Sequence, residues 1–449
     1  MDNPSQPAPF YCNSWFLIPA VFLIYLFSPI SQIGDARYTM LLSENLCRNG
    51  EFQLDAYFHG ANAALPYQLQ MSGGHVYYLY PPGAPILSTP FVAVANLCGL
   101  KVINSHDDYN RLNEWILHKV IAAFLASAFV ALLFRLAKLT LPPLPSLLVA
   151  VSIGLGSRLW STASRAVWSQ TWGILLVLGA IYLLVRSEAK GRDFSPVILA
   201  TLLSWAFFCR PTFWLPAAAI AFYTLYKYPH KFLGLSIVGS LWLAIFVLWS
   251  FITFGKCLPP YFLQAGMLNL QNFFQAVAAH LLSPSRGLFT FTPWLAMLLW
   301  FILKYRRRIP YKGFAVLSLA VIGVHLVLVS TWPCWWFGHS FGPRAFVDTL
   351  PWWGLLAVLC AKPLSDDLKS TMPAISSVAR RNLKILCFLV VLSVIIHGAG
   401  AISYRSHLWN YYPRDVDDCP QRVWDWKDPQ LAAFLIPQNE KVERARGGL

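Results

Sequence analysis

Charge is what this sequence has least of. Only 12% of its 449 residues are Asp, Glu, Lys or Arg, about half the usual share in a soluble domain. Acids are the scarcer sign, 20 against 35 bases, which leaves a formal net charge of +15. Between Trp115 and Val347 the only acids are Glu188 and Asp193. No apolar run has an Asp or Glu near its middle, whereas an ion-coupled transporter normally carries an ionisable residue there. The nine cysteines include no CxxC pair, so neither a zinc framework nor a disulfide scaffold is indicated. No low-complexity polar tract is present, which excludes disorder for most of the chain. The N-terminus lacks the basic stretch and small-residue cleavage site of a signal peptide, so the first apolar block is expected to stay as an anchor.

What remains is apolar. Hydrophobic residues make up 57% and the mean hydropathy is +0.50. They fall in blocks of about 16 to 24 residues divided by short charged loops, the pattern of an all-α polytopic membrane protein. The expected spans are 12–31, 114–135, 141–158, 165–186, 194–209, 211–227, 232–254, 287–304, 311–330, 345–362 and 384–403. A twelfth block, 84–100, is short and holds Pro85 and Pro90, which disfavour a continuous helix. The basic excess does not point to nucleic acid, because no basic stripe or aromatic-basic motif accompanies it. It sits in short loops, where it sets orientation.

The most basic loop, Lys304 to Lys312, is therefore placed in the cytoplasm. Counting spans outward puts 135–140, 186–193, 227–231 and 362–384 on the same side. The parity closes with a cytoplasmic N-terminus only if 84–100 does not cross, so that block is read as a re-entrant or surface-lying helix. This yields a bundle of about eleven spans over 1–403, a large first outer loop at 32–113, and a C-terminal tail at 404–449 on the outer side. The inner loops are short, so the working face is the outer one.

Chemistry on that face must use few acids. Asp35 follows the first membrane exit closely. After it Tyr38, Leu41, Leu42, Asn45 and Leu46 recur at helical spacing and Gly50 gives a stop, which predicts an amphipathic helix on the membrane surface. Asp35 is also a natural N-cap for that helix, a role compatible with staying ionised as a base. Glu44 is expected two to three turns away, too far to share its proton. Tyr67–Met71 and His75–Tyr80 flank Ser-Gly-Gly, a hairpin pattern. Tyr77, Tyr78 and Tyr80 offer faces for a sugar, or simply an interfacial aromatic belt. His59 and His75 could meet Asp35, Glu44 or Asp55 at a metal, but no ligand spacing is specific, and neither a metal site nor another cofactor is assigned.

Arginines supply the opposite charge. Arg158, Arg165, Arg210, Arg286 and Arg344 all fall at outer ends of spans or in outer loops. Each can snorkel to lipid or grip a phosphate with its planar fork. The loop from Trp332 to Arg344 also holds His339 between two glycines.

Three short motifs carry a resemblance. Gly34-Asp35-Ala36-Arg37-Tyr38 after the first span, Pro81-Pro82-Gly83 at the end of the first loop, and Gly342-Pro343-Arg344 before a late span are similar in order and kind to the GT-C membrane glycosyltransferases. The likeness is to the protein-mannosyltransferase-like and aminoarabinose-transferase-like branch, and in layout it covers most of 12–403. It implies an inverting glycosyltransferase of the bacterial inner membrane with its active face in the periplasm. Such an enzyme moves a sugar from a polyprenyl-phosphate donor to an acceptor hydroxyl on a glycolipid, polysaccharide or protein. It implies Asp35 as the catalytic carboxylate, and the outer-face residues Arg37, Tyr38, Tyr80, Arg158, Arg165, Gln170, Arg286, His339 and Arg344 are the substrate-binding candidates beside it. The sequence departs from the pattern at Ala36, at Leu79-Tyr80, and at Gln170 and Trp172, where acidic or basic residues are common in the family. The alternative from another class is a lipid or solute transporter. The tail run Arg422 to Gln430 has no mechanism readable from sequence.

Overall fold

The structure, a computed structural model, describes residues 14–58, 65–104, 108–264 and 268–435. His59 and the last residues of the tail lie outside these. The regular structure of the described chain is almost all helix, with one two-stranded hairpin. In chain order the helices are α1 (Ser14–Phe27), α2 (Thr39–Asn49), α3 (Gly83–Leu97), α4 (Arg111–Ala137), α5 (Pro143–Leu155), α6 (Ser169–Lys190), α7 (Pro196–Cys209), α8 (Trp214–Lys227) and α9 (Pro229–Phe254). There follow α10 (Pro260–Gln264), α11 (Phe273–Leu282), α12 (Leu288–Phe291), α13 (Trp294–Tyr305), α14 (Lys312–Ser330), α15 (Leu350–Leu368), α16 (Pro373–Ile402) and α17 (Tyr404–Leu408).

Each of the eleven expected spans contains a helix over at least part of its length, one of them in two pieces. Six helical stretches are long and apolar enough to cross a membrane, at 111–137, 169–190, 229–254, 312–330, 344–368 and 373–402. The boundaries follow local chemistry. Proline occupies the first turn of α5, α7, α9 and α16, where its missing N–H costs nothing. Asn110 caps α4 by accepting from the Asn113 N–H at 3.1 Å. The expected span 287–304 is split, because Pro293 stands between α12 and α13. The span expected at 345–362 begins as a 3-10 turn, Arg344–Thr349, and runs on as α15 to Leu368.

Burial sorts the bundle into centre and rim. The stretch 344–368 is 89% buried over its apolar window and 111–137 is 72% buried, whereas 229–254 is only 17% buried. The first two form the middle of the main core, with Phe129, Leu133, Trp352, Trp353 and Leu356 among its fully enclosed side chains.

The first loop folds back on this bundle. A helix forms where expected, as α2, but it does not lie on a surface: every residue from Thr39 to Asn45 is buried, polar Ser43, Glu44 and Asn45 included, and Gly50 at φ 70 ends it with its N–H on the Leu46 carbonyl. Strands β1 (Leu69–Ser72) and β2 (His75–Tyr78) form the expected hairpin, with Leu69 opposite Tyr78. Helix α3 has 15 residues, a length like that of the apolar helices α1, α5 and α7. Its start explains Pro81-Pro82-Gly83: a Cβ on Gly83 would lie 2.5 Å from the Cys209 nitrogen and 2.7 Å from the Phe208 carbonyl oxygen. Only glycine lets α3 rest on the backbone at the end of α7.

The tail is no loose appendage. Its described part packs on the 331–343 loop through Trp335, Trp409, Val416 and Val423.

Candidate active site

Asp35 lies in a 3-10 turn, Gly34–Ala36, and it does not cap α2. The residue at the cap position is Tyr38, at φ 71, without a side-chain cap bond. A left-handed conformation is costly for a bulky residue. Here it turns the chain between the 3-10 turn and α2, so Asp35 points away from the helix end. The turn is pinned from the hairpin side. Gln68 donates to the Gly34 carbonyl at 3.1 Å and Tyr78 donates to the Asp35 carbonyl at 2.9 Å.

The carboxylate then meets a residue more than 300 positions away. Arg344 Nη2 donates to Asp35 Oδ2 at 2.5 Å, and Tyr67 donates to Oδ1 at 3.3 Å. The aspartate side chain keeps 30% exposure and Arg344 keeps 12%. The Arg344 guanidinium carbon lies over the Trp168 ring, 3.8 Å from its centroid, a cation–π contact that helps hold it in place. Burial alone would raise the Asp35 carboxyl. The Arg344 charge and hydrogen bonds from Arg344, Tyr80 and Tyr67 outweigh it and hold the carboxyl below its usual range. Burial, then the Asp35 charge, pushes the Tyr67 and Tyr80 hydroxyls up, so both stay protonated donors. Gly342 sets up Arg344: it has φ 62 and a Cβ there would meet the Phe291 ring at 2.7 Å.

A second pair adjoins the first. Asp348, one turn beyond Arg344, accepts from Arg210 Nε at 3.0 Å and from Thr212 at 2.6 Å, and Arg210 also reaches Ser169 at 3.2 Å. Tyr80 packs on Tyr261 at 5.1 Å and on Tyr78 at 5.6 Å.

The other candidates separate clearly. Arg165 is consumed by structure: its guanidinium donates to the carbonyls of Tyr25, Ser28 and Ile30, which closes the exposed carbonyl end of α1. Arg286 donates to the carbonyls of Ser285, Trp336 and Gly338 and to Asn410 and Gln430. Arg37 lies over the Tyr38 ring at 4.9 Å, and Tyr38 packs against Phe58 and Tyr109. His339 bonds Asp415 at 2.7 Å. Arg158 and Gln170 are fully buried, and none of their side-chain nitrogens or oxygens has a hydrogen-bond partner among the described residues. The Arg344 Nε, Asp348 Oδ1 and Thr162 hydroxyl are likewise unpaired. The 3-10 turn at 344–349 packs against both the π-helical turn Leu159–Ala163 and α6, which draws these segments together.

Trp168, Tyr67, Tyr261 and Thr212 were not singled out from sequence. No local motif marks them, since each is recruited across the fold. Glu44 holds Arg48 and the Val102 and Ile103 N–H groups, and His75 pairs with Asp55 at 2.7 Å. Neither faces Asp35 in these bonds.

No protein-family model matches the sequence, and no curated protein does. Solved structures do. The apo oligosaccharyltransferase of Archaeoglobus fulgidus aligns with a TM-score of 0.53 at 11% identity, over 94% of this chain and 61% of its own. The chain thus spans about three fifths of that enzyme's length. The chain has a GT-C fold. The apo aminoarabinose transferase ArnT of Cupriavidus metallidurans aligns more loosely, with a TM-score of 0.45 at 14% identity, over 89% of this chain and 79% of its own.

Proposed function

We propose that the chain is an inverting glycosyltransferase of a bacterial inner membrane. Its substrates are a polyprenyl-phosphate sugar and an acceptor hydroxyl, and its active face is periplasmic. The observation that carries this reading is the Asp35–Arg344 pair, one base and one phosphate-type cation held together at a partly open surface. The GT-C fold agrees with transfer of a sugar.

The reaction needs little more. The acceptor oxygen attacks the anomeric carbon while the bond from that carbon to the phosphate oxygen breaks. The electron pair leaves with the polyprenyl phosphate, and configuration inverts in the single displacement. Asp35 takes the acceptor proton. Arg344 meets the charge growing on the phosphate. The ion pair also tunes the base: Arg344 keeps Asp35 ionised but weakly basic, and a donor phosphate that draws Arg344 to itself raises Asp35 basicity when it is needed. Arg158, with its unpaired guanidinium, and Gln170 are further donors toward a bound anion or sugar.

The test is chemical. Purified chain given a polyprenyl-phosphate sugar should release polyprenyl phosphate, and a deletion strain should accumulate the donor while one glycoconjugate loses a sugar. Unchanged lipids and glycoconjugates in the deletion strain, with no donor turnover by the purified chain, would refute the reading.

A further inference from the structure

The loop that carries Arg344 holds a second constellation. His339 comes from this loop and Asp415 and Asp417 from the tail, more than 70 residues later. Among the described residues they are the one group of three or more His, Cys, Asp or Glu side chains whose ligand atoms all lie within 4.8 Å of one another. His339 Nε2 stands 2.7 Å from Asp415 Oδ1 and 3.7 Å from Asp417 Oδ2. Ligands around one ion at about 2.0–2.2 Å sit about 3.0–3.6 Å from each other, inside the range these atoms already span.

We propose that His339, Asp415 and Asp417 bind one divalent transition-metal cation. The supports around the three side chains are those a metal site uses. The Trp336 indole donates to Asp417 Oδ1 at 2.6 Å, leaving Oδ2 as the oxygen turned to His339. The Asp417 N–H donates to Asp415 Oδ1 at 2.9 Å. The His339 ring stacks on Tyr411 with centroids 4.3 Å apart, which fixes its plane. Outer contacts of this kind orient ligands and tune affinity. Two carboxylates face a single imidazole here, so the cluster has negative charge to spare for a dication. The Arg286 guanidinium, which bonds the Trp336 and Gly338 carbonyls beside His339, is spent on carbonyls and amides. One nitrogen and two oxygens suit the Mn2+ to Zn2+ range better than Ca2+ or a thiolate-loving ion. All three side chains keep partial exposure, so an ion can exchange with solvent.

The consequence is mechanical. A cation here ties residues 415–417 to a loop position five residues before Arg344, and so braces the segment that aims Arg344 at Asp35. The site does not depend on the transferase reading, because it is defined by its ligands alone.

The test uses the full chain in detergent, stripped of metal, titrated with Zn2+ and separately with Mn2+. Calorimetry should show one saturable equivalent, Mn2+ should give a bound-ion EPR signal that Zn2+ displaces, and the unfolding midpoint should rise with saturation. Asp417→Asn and His339→Asn should each weaken binding at least about 10-fold, with elution and helicity as in the wild type. Should one variant fail to fold, Asp415→Asn serves in its place. Absence of a stoichiometric equivalent in the wild type, or equal binding in folded variants, would overturn the proposal.

Discussion

Arg286 and Arg344 belong to the same face and look alike in sequence, yet they are opposite objects. Arg286 spends every donor of its fork on carbonyls and amides that hold the 331–343 loop to the tail. Arg344 has one carboxylate, one indole face and an Nε without a partner among the described residues. A saturated guanidinium is an architectural part, whereas one held by a single competitor can change partners. Arg165 falls with Arg286, capping α1 by its carbonyls. Arg158 goes beyond Arg344, since none of its nitrogens is paired.

This difference can be broken by substitution. The largest effect on folding belongs to Arg286→Met. It orphans buried carbonyls and amides at once, and each lost bond to a charged group is worth about 1.5–3 kcal/mol. The variant should lose the tail packing and unfold well below the wild-type temperature, measured by thermal denaturation in detergent. Arg344→Ala should fold, because its partners are few and partly exposed, but should lose about 100-fold in transfer rate. Arg344→Lys should recover only part of this, since lysine lacks the planar fork. Equal stability losses in Arg286→Met and Arg344→Ala would erase the distinction. The smallest effect on stability is expected at Arg158. Arg158→Met removes a buried charge that has no partner to lose, so stability should stay within about 1 kcal/mol of wild type or rise, while donor affinity falls. A collapse of folding would place Arg158 with Arg286.

Much of the first loop could be read from the sequence. The spacing of Leu41, Leu42 and Leu46 with Gly50, and the Ser-Gly-Gly turn, are local signals, and α2 and the hairpin appear where they predict. The late loop and tail were unreadable by the same means. Gln430 is a fully buried hub, taking Arg286 and the Gly342 N–H on its oxygen and giving its amide to the Ser340 carbonyl. Nothing about a glutamine in this stretch announces this, because these three partners lie 88, 90 and 144 residues away. The site shows the same divide. Asp35 was accessible by elimination among few acids and by resemblance. That Arg344, out of five arginines, is its partner depends on a contact across the whole bundle. The N-cap role for Asp35 failed because a capping pattern cannot foresee the left-handed turn at Tyr38.

The pair also has a pH signature. A carboxyl held below its unfolded value stabilises the fold once the pH exceeds that value, about 3.9. The contribution is lost as pH falls through the lower folded value. Asp35 therefore stays ionised across the neutral range, and its own titration should not limit transfer there.

The central claim is that Asp35 is the base of a transferase rather than a structural ion-pair partner of Arg344. The direct measurement is the single-turnover transfer rate of Asp35→Asn beside its thermal stability. The substitution keeps size and hydrogen-bond reach to Arg344 but cannot accept the proton. The account predicts a rate lower by about 100-fold or more and a stability change within about 1 kcal/mol. Full transfer activity in a folded Asp35→Asn protein would contradict it.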